Sequence, residues 1–163
     1  DIGGQDSKTI RVGENGHVMD FAMNDKCAAG TGRFFEVMAR ALEIDLDDMG
    51  TLAARANKKL SISSMCTVFA ESEVVSLVAR GEPVEDIVAG LCRAVAERTR
   101  ALAQRVGISP EVTMTGGVAK NLGVVRALEE LLGQKFNIPA EPQIVGALGA
   151  ALFARDAAGK AGS

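Results

Sequence analysis

Two pairs of adjacent glycines constrain the fold of this chain more than any other feature of its sequence. Gly3-Gly4 lies in the stretch DIGGQDSK, and Gly116-Gly117 lies in the stretch VTMTGGVAKN. Glycine allows a sharp turn after a strand, and without a Cβ atom it lets a phosphate or a sugar reach the backbone amides. Each pair alone is also typical of an ordinary turn, but two such pairs in one chain favour a cleft for a nucleotide.

The residues around each pair extend this prediction. Asp1, at the end of the first predicted strand, has a carboxylate that can hold a hydrated Mg²⁺ or orient an attacking water. A helix is predicted after Gly116-Gly117. The N-terminus of a helix favours an anion, and bare glycine backbone leaves room for ribose or adenine. The first pair is therefore predicted to face phosphate and the second to face adenosine.

Alternating apolar and polar residues predict a β-hairpin near the start of the chain. Residues 8–12 and 17–23 alternate in this way on either side of the stretch GENG, and its Asn-Gly pair tolerates the positive φ angles of a tight turn. With residues 1–4 as the end of a preceding strand, the opening of the chain is predicted to be a small antiparallel meander.

Apolar residues at spacings of three and four predict that most of the remaining chain is helical. A β-α-β-α arrangement is expected in the last third, after a long helix that begins at Pro83 and ends at Gly107. The predicted helices are those from Gly32 onward, 45–58, 68–81, 83–106, 120–132 and 143–155, and the predicted extended segments are 61–64, 112–115 and 135–138.

Charge and apolar content exclude two classes of partner. Eighteen Lys and Arg against twenty-one Asp and Glu give a net charge of −3 without a basic run, so no contact with nucleic acid or an anionic membrane is predicted. No apolar run approaches the roughly 20 residues of a membrane span.

Three cysteines, an odd number, predict free thiols and a cytoplasmic location. Because the chain opens on Asp1 without Met, we expect one lobe of a larger protein.

Cys27 and Cys66 each stand directly before a predicted helix, among small or hydroxyl residues. The unpaired N–H groups of a helix N-terminus favour a thiolate and suit an anionic ligand such as an iron–sulfur cluster. A cluster with four thiolate ligands would require two symmetry-related chains. The alternative is that both cysteines are buried packing residues, which is the expectation for Cys92 within its long helix.

The two glycine stretches together resemble the phosphate and adenosine motifs of the superfamily of acetate and sugar kinases, heat-shock proteins and actin. The stretch VGALGAALFA at 145–154 resembles the last helix of that superfamily. The resemblance implies an α/β fold, the C-terminal lobe of an actin-like ATPase, with a ribonuclease H-like mixed sheet flanked by helices. It implies a lobe at 1–155 and an N-terminal lobe absent from this chain, and residues 156–163 are expected to be a disordered tail.

Four blocks narrow the resemblance to one family. DIGGQDSK, NDKCAAGTGRFFEVMA, ISSMCTVFAESEVVS and MTGGVAKN are together similar to activators of 2-hydroxyacyl-CoA dehydratases and to the ATP-binding subunits of benzoyl-CoA reductase, the BadF/BadG/BcrA/BcrD-type ATPases. The resemblance implies an ATPase of anaerobic metabolism that donates one electron at low potential, as a homodimer with one bridging [4Fe–4S] cluster. Its implied partners are an acyl-CoA dehydratase or reductase, and reduced ferredoxin or flavodoxin as electron donor.

Candidate site residues follow from this resemblance. Cys27 and Cys66 are expected to be the metal ligands, one pair from each subunit. Asp1, Gln5 and Asp6 are expected to act catalytically at the phosphates of ATP or ADP and at Mg²⁺. The residues expected to bind the nucleotide are Gly3, Gly4, Lys8, Gly116, Gly117 and Lys120.

Other polar or glycine-rich positions are given different roles. The run Gly30-Thr31-Gly32 is interpreted as an approach for the cluster and not as a phosphate loop. His17, the only histidine, is expected on the surface of the hairpin. Glu71 and Glu73 are expected in solvent, with a contact to the nucleotide as the alternative.

Two other classes of function are compatible with the sequence. A small-molecule kinase of the sugar-kinase type, with structural cysteines, would be colourless and would leave a cysteine at two helix starts without a reason. A regulatory nucleotide-binding lobe without catalysis would turn over little ATP. Within the family, the sequence fits both a free activator and a permanent subunit of a reductase.

Overall fold

The computed structural model describes residues 1–14, 16–24, 28–63 and 66–161, with side chains to Gly159. Within these residues the chain forms short strands and longer helices, joined by 3₁₀ turns at Leu46–Asp48 and Gly117–Lys120. The strands are β1 (Ser7–Val12), β2 (Val18–Asn24), β3 (Val112–Thr113) and β4 (Phe136–Asn137). The α-helices are α1 (Gly32–Ala41), α2 (Met49–Ala53), α3 (Thr67–Ala79), α4 (Val84–Val106), α5 (Leu122–Leu132) and α6 (Val145–Ala161).

β1 and β2 form the predicted antiparallel hairpin. Ser7 pairs with Asn24 at its open end, and a bulge interrupts the register near its turn. The turn closes with a hydrogen bond from the N–H of Gly13 to the carbonyl of His17 (2.8 Å). His17 is exposed, as predicted, whereas Asn15 of the predicted turn lies outside the described residues.

Ile2 connects this hairpin to the second pair of strands. It forms an antiparallel bridge with Ser7, and its N–H donates to the carbonyl of Thr115 (2.9 Å), just beyond β3. β3 pairs in parallel with β4, although each has only two residues where the sequence predicted four. Parallel and antiparallel pairings therefore meet at Ile2, which places the two glycine pairs next to each other.

α4 is the central element of the core. Ile87, Val88 and Leu91 on its inner face are fully buried, and burial of such a side chain contributes about 1.5–3 kcal/mol. The helix packs against α2, α5 and the hairpin. Its bounds agree with the prediction: Pro83 is the N-cap, and Gly107 ends the helix at a φ of +81°. α1, α3 and α5 also lie where the apolar spacing predicted helices.

The predicted helix 45–58 is wrong at its C-terminal end. The structure has a 3₁₀ turn followed by the five-residue helix α2, which ends at Ala53. The chain leaves the helix because the N–H groups of Asn57 and Lys58 donate to the carboxylate of Asp86 (2.7 and 3.0 Å). Asp86 lies in the first turn of α4, distant in sequence, so the local pattern could not indicate this ending.

The final helix is longer than predicted. α6 continues to Ala161, where the sequence had indicated an end near Arg155 and a tail at 156–163. Alanine is the strongest helix former, and Ala157, Ala158 and Ala161 account for the extension. Among the described residues, no helix is both long enough and apolar enough to cross a lipid bilayer.

Candidate functional site

A cleft of about 600 Å³ opens where the two glycine pairs meet. Ligand sites for small molecules commonly have volumes of about 300–1,000 Å³, so this cleft has the size of a cofactor site. Six residues that the sequence predicted for a nucleotide line it together. They are Asp1, Gly3, Gly4, Gly116, Gly117 and Lys120.

Gly116 forms the tightest contact in the wall of the cleft. Its φ of +87° favours glycine, and a Cβ atom at this position would lie 2.3 Å from the carbonyl oxygen of Ile2. The same carbonyl accepts a hydrogen bond from the N–H of Val118 (3.2 Å), and the N–H of Gly116 donates to the carbonyl of Pro142 (2.8 Å). Backbone packed directly against backbone therefore fixes this turn.

The first glycine pair is held from the other side by the start of α1. The N–H of Gly32 donates to the carbonyl of Gly3 and that of Arg33 to the carbonyl of Gly4, both at 2.8 Å. A Cβ atom on Gly32 would approach the Cα of Gly4 to 3.2 Å, whereas a Cβ atom on Gly4 would meet nothing within 4 Å. Gly4 therefore presents open backbone to the cleft.

Gly32 itself lines the cleft, which corrects the interpretation of the run Gly30-Thr31-Gly32. The sequence analysis assigned this run to the cysteine site and not to a phosphate site. In the fold the run reaches the cleft through its contact with Gly3-Gly4, which is distant in sequence. The glycine signal was present, but its partner could not be found from local pattern.

The acidic and basic residues of the first stretch have separate positions. Asp1 lines the cleft, and its Oδ2 accepts a hydrogen bond from the hydroxyl of Thr115 (2.6 Å). Lys8 donates to the carboxylate of Asp6 (2.6 Å), and both side chains are about one third exposed. In the described part of the chain, Gln5, Asp6 and Lys8 are not among the residues that line the cleft.

Several lining residues were missed by sequence reasoning. Asn121 caps α5, and its Oδ1 accepts from the N–H groups of Gly123 and Val124 (3.0 and 3.3 Å). This residue had a usable signal, since asparagine before an apolar helical run is typical of an N-cap. Glu36, Asp47 and Gln143 had none, because they come from three separate elements that only the fold brings together. The missed residues are Gly32, Phe35, Glu36, Leu46, Asp47, Val118, Asn121, Gln143 and Gly146.

Cys66 is the N-cap of α3 and is exposed. Its neighbours Val68 and Phe69 are 66% and 68% exposed, which is unusual for large apolar side chains in the first turn of a helix. The hydroxyl oxygen of Thr67 is buried and has no hydrogen-bond partner among the described residues. Cys27, the other predicted ligand, lies outside the described residues. Cys66 thus presents a free thiol on an apolar surface.

Cys92 differs from Cys66 in every respect. It is buried in the core, its S–H donates to Oδ1 of Asn121 (3.7 Å), and burial raises the pKa of its thiol to about 12. It is therefore a packing residue, as the sequence indicated. Glu73 accepts from the backbone N–H of Ser63 (3.1 Å) and Glu71 is exposed, and neither lines the cleft. Within the described residues no three His, Cys, Asp or Glu side chains are grouped to hold a metal.

The fold around the glycine-lined cleft is that of the actin-like ATPases, as predicted from the sequence. The chain belongs to the BadF/BadG/BcrA/BcrD ATPase family, whose sequence model matches residues 1–154. Both the family and the fold class inferred from the sequence are therefore confirmed.

Individual relatives agree with this family. The chain is 56% identical over 160 residues to the (R)-2-hydroxyglutaryl-CoA dehydratase activating ATPase of Acidaminococcus fermentans, covering 98% of this chain and 61% of that protein. It is 36% identical over 160 residues to a component of the benzoyl-CoA reductase of Thauera aromatica, covering 94% of this chain and 56% of that protein.

A solved structure shows the same architecture. The activator of the 2-hydroxyisocaproyl-CoA dehydratase from Clostridium difficile, with bound ADPNP, superimposes with a TM-score of 0.93 at 48% identity, covering 98% of this chain and 60% of that chain. The chain spans about three fifths of the length of such relatives.

Proposed function

We propose that this chain belongs to an ATP-dependent activator that donates one electron at low potential to an acyl-CoA dehydratase or reductase. One observation carries the proposal: α1 begins in the wall of the cleft at Gly32 and follows Cys27 closely in sequence. The start of this one helix therefore adjoins both a site for a nucleotide and a predicted ligand of a redox centre. The relatives, an activating ATPase and a component of a reductase, support the same function.

The cleft is the proposed site of ATP and ADP. Open backbone at Gly4 leaves room for phosphate, Gly116-Gly117 lines the part of the cleft proposed for adenosine, and Lys120 adds a positive charge at the same wall. Asp1, held by the hydroxyl of Thr115, is placed to carry a Mg²⁺ ion through water or to orient an attacking water. The ADPNP bound to the structural relative supports a nucleotide as the ligand of such a fold.

A role in this site is less directly supported for three residues that do not line the cleft, Gln5, Asp6 and Lys8. The ion pair between Lys8 and Asp6 engages both side chains beside the cleft. A triphosphate is a stronger acceptor for Lys8 than one exposed carboxylate, because a charge-assisted bond to phosphate involves a larger charge. We therefore propose that these residues act on phosphate only after the pair has opened.

The cysteines are the proposed ligands of a [4Fe–4S] cluster shared by two copies of the chain. Cys66 fits such a group, because its thiol is free and exposed at the N-cap of a helix, and the unpaired N–H groups of a helix N-terminus favour an anionic ligand. Val68 and Phe69 beside it offer apolar surface for the second copy. When bound, the cluster supplies one-electron transfer at low potential. Cys27 and Cys66 from both copies make up its four thiolates.

Nucleotide binding and hydrolysis are proposed to act on the cysteine site through a movement of α1. Closing the cleft on a triphosphate changes the contacts of Gly3 and Gly4, and their carbonyls are bonded to the first N–H groups of α1. A shift of this helix start changes the surroundings of the Cys27 segment, which directly precedes it. A change in one-electron potential corresponds to about 23 kcal/mol per volt, so a coupling of a few kcal/mol moves the potential by about a hundred millivolts.

The proposal is tested by purifying the full-length protein under anaerobic conditions and measuring its iron content and the EPR spectrum of the reduced sample. We expect about four iron atoms per two chains, the count of a [4Fe–4S] cluster. Cys27→Ala and Cys66→Ala should both lose the iron and the signal. Cys92→Ala is the matched control and should keep both. A colourless protein that phosphorylates a small hydroxyl compound would overturn the proposal in favour of a kinase.

The assembly with the partner is tested separately. A free activator should purify alone and bind its dehydratase reversibly, with reduced ferredoxin or flavodoxin as the electron donor. A permanent subunit, as the similarity to a component of benzoyl-CoA reductase would favour, should purify together with the rest of the reductase. Size-exclusion chromatography of the protein from its native source distinguishes the two.

A further inference from the structure

Arg98, in the second half of α4, joins both ends of the segment that carries Cys27. Its Nη2 donates to Oδ1 of Asn24 (3.3 Å), the last residue of β2. The side-chain amide of Asn24 in turn donates to the carbonyl of Ala29 (3.3 Å). A chain of two hydrogen bonds thus runs from α4 through Asn24 to Ala29, across the sequence positions 25–28.

The guanidinium arm also lies against the backbone that follows this segment. A Cβ atom on Gly30 would come within 2.9 Å of the Cδ of Arg98 and 3.5 Å of its Nε. Gly30 has a φ of +90°, so glycine is favoured there both by conformation and by the closeness of the arginine. Arg98 therefore packs on the segment as well as bonding to it.

Arg98 differs from Arg93 of the same helix in the kind of partner that it has. Arg93 pairs with Glu97 (3.1 Å) and Glu130 (3.7 Å). In the part of the chain that the structure describes, Arg98 has no carboxylate partner, and its side chain is only partly exposed. Because Arg98 is partly exposed, water and the hydrogen bond to Asn24 together solvate its charge.

We propose that Arg98 is a positioning residue for the segment that carries Cys27. It fixes Asn24 at one end and Ala29-Gly30 at the other, so that both ends of the segment are held to α4. The inference deepens the proposed function, on which it rests only for the role of Cys27 as a ligand. The geometry of Arg98, Asn24 and Ala29 stands without it.

The helix that carries Arg98 is suited to this task. α4 is the longest helix of the described chain, and its inner face is buried against α2, α5 and the hairpin. Less than two turns before Arg98, Cys92 contacts Asn121 in the wall of the cleft. Arg98 therefore extends from a helix that is held in place by the core and that also contacts the wall of the cleft.

The first test measures hydrogen exchange in the metal-free, full-length protein, so that it does not depend on the cluster. In Arg98→Ala, the amides of residues 28–31 should exchange on the order of tenfold faster than in the parent, the effect of losing one charge-assisted hydrogen bond. Arg105→Ala is the matched control, since Arg105 comes from the same helix and lines the same cavity of about 210 Å³ beside Asn24. Equal rates in the two variants would overturn the proposal.

The second test measures whether the contacts of Arg98 affect retention of the cluster. Loss of iron to a chelator should be several-fold faster in Arg98→Ala and in Asn24→Ala than in Arg105→Ala, with a changed EPR line shape. Arg98→Lys keeps the charge and the aliphatic contact with Gly30 but not the planar fork, and should recover part of the retention. If amide exchange is faster in Arg98→Ala but no variant binds a cluster, the role of Arg98 in holding the segment is supported and the proposed function is refuted. An unchanged line shape and rate of iron loss in a cluster-containing Arg98→Ala would overturn the positioning role.

Discussion

The cleft and the exposed start of α3 are two helix-start regions with opposite construction. In the cleft, Gly116 packs on the carbonyl of Ile2 and Gly32 donates to Gly3, so the walls are held by backbone contacts within the chain. At the start of α3, Cys66, Val68 and Phe69 are exposed and point outward. The walls of the cleft are therefore preorganised by the chain itself. The side chains around Cys66, in contrast, are left accessible at the surface.

The largest expected effect comes from breaking the packing of the cleft with Gly116→Ala. The methyl group would lie 2.3 Å from the carbonyl oxygen of Ile2, with a φ of +87° that disfavours alanine. Because the neighbouring atoms are backbone and cannot turn aside, we expect a loss of about 3 kcal/mol or more in the free energy of unfolding. Nucleotide affinity should fall with it. Urea denaturation followed by circular dichroism measures the first quantity, and calorimetric titration with ADP measures the second.

Gly149→Ala is the matched control for this variant. A Cβ atom there would meet nothing within 4 Å, and the residue lies inside α6. Alanine is preferred over glycine in a helix by about 1 kcal/mol, so this variant should be unchanged or slightly more stable. If both variants had the same stability as the parent, the cleft would not be held by the contact between Gly116 and Ile2.

A second, smaller effect is expected where α2 is anchored near the cleft. Asp86 is 1% exposed, and it accepts hydrogen bonds from the N–H groups of Asn57 and Lys58 directly after α2. The bond from Lys58 is the main cause, followed by that from Asn57, of a pKa for Asp86 below its ordinary value of 3.8. Asp86→Asn removes the charge while keeping the shape. We expect a lower urea midpoint for unfolding at neutral pH.

The stability that the Asp86 carboxylate contributes should depend on pH. A carboxylate whose pKa is lowered in the folded state stabilises the fold above its unfolded pKa, and this stabilisation is lost as the pH falls through the folded pKa. The difference between the parent and Asp86→Asn should therefore be complete above about pH 4 and should shrink at lower pH. Urea midpoints measured from acid to neutral pH test this. A difference that stayed constant over that range would show that the charge of Asp86 has no part in it.

Most of the secondary structure could be predicted from local pattern, and the exceptions have a common cause. α4 carries its own signals, with Pro83 at its start, Gly107 at its end and an apolar stripe between them. α2 ends early because Asp86 captures the backbone of residues 57–58, and Gly32 belongs to the cleft because it contacts Gly3. These outcomes depend on pairs of residues that are distant in sequence, which periodicity does not reveal.

The candidate site divides in the same way. Both glycine pairs were found, because a strand followed by Gly-Gly is a local signal with a physical reason. Glu36, Asp47 and Gln143 could not be found, since each is an ordinary polar residue until the fold brings it to the cleft. The position of Cys27 stays a prediction from the sequence. Exposure of Cys66 could not be predicted either, because the helix it caps is apolar on several faces.

A third prediction concerns the capping residue in the wall of the cleft. Asn121→Ala removes the acceptor for the N–H groups of Gly123 and Val124, and loss of an N-cap costs about 1 kcal/mol. Asn121→Asp keeps an acceptor at the same position and is the matched control for stability. Urea denaturation should show the loss in the alanine variant and little change in the aspartate variant. Similar losses in both would mean that the acceptor oxygen at position 121 does not stabilise α5 as a cap.

The smallest effect on stability is expected at the outward-facing region. Cys66→Ser changes one exposed atom, so the free energy of unfolding of the metal-free protein should stay within about 0.5 kcal/mol of the parent. Cys92→Ser is the counterpart in the core, where a hydroxyl replaces a buried thiol and a loss of about 1–3 kcal/mol is expected. Urea denaturation of both variants provides the comparison.

Alkylation of the native, metal-free protein at mildly alkaline pH separates the same two cysteines by chemistry. Because burial raises the pKa of Cys92 to about 12, only on the order of one in ten thousand of its thiols is ionised near pH 8, and the reagent has no access to it. Cys66 should be modified in the folded protein and Cys92 only after denaturation, as intact mass and peptide mapping would show. Modification of Cys92 at a comparable rate would mean that the core beside Asn121 opens readily. The cleft wall at Asn121 would then not be preorganised, in contrast to what the packing of the cleft indicates.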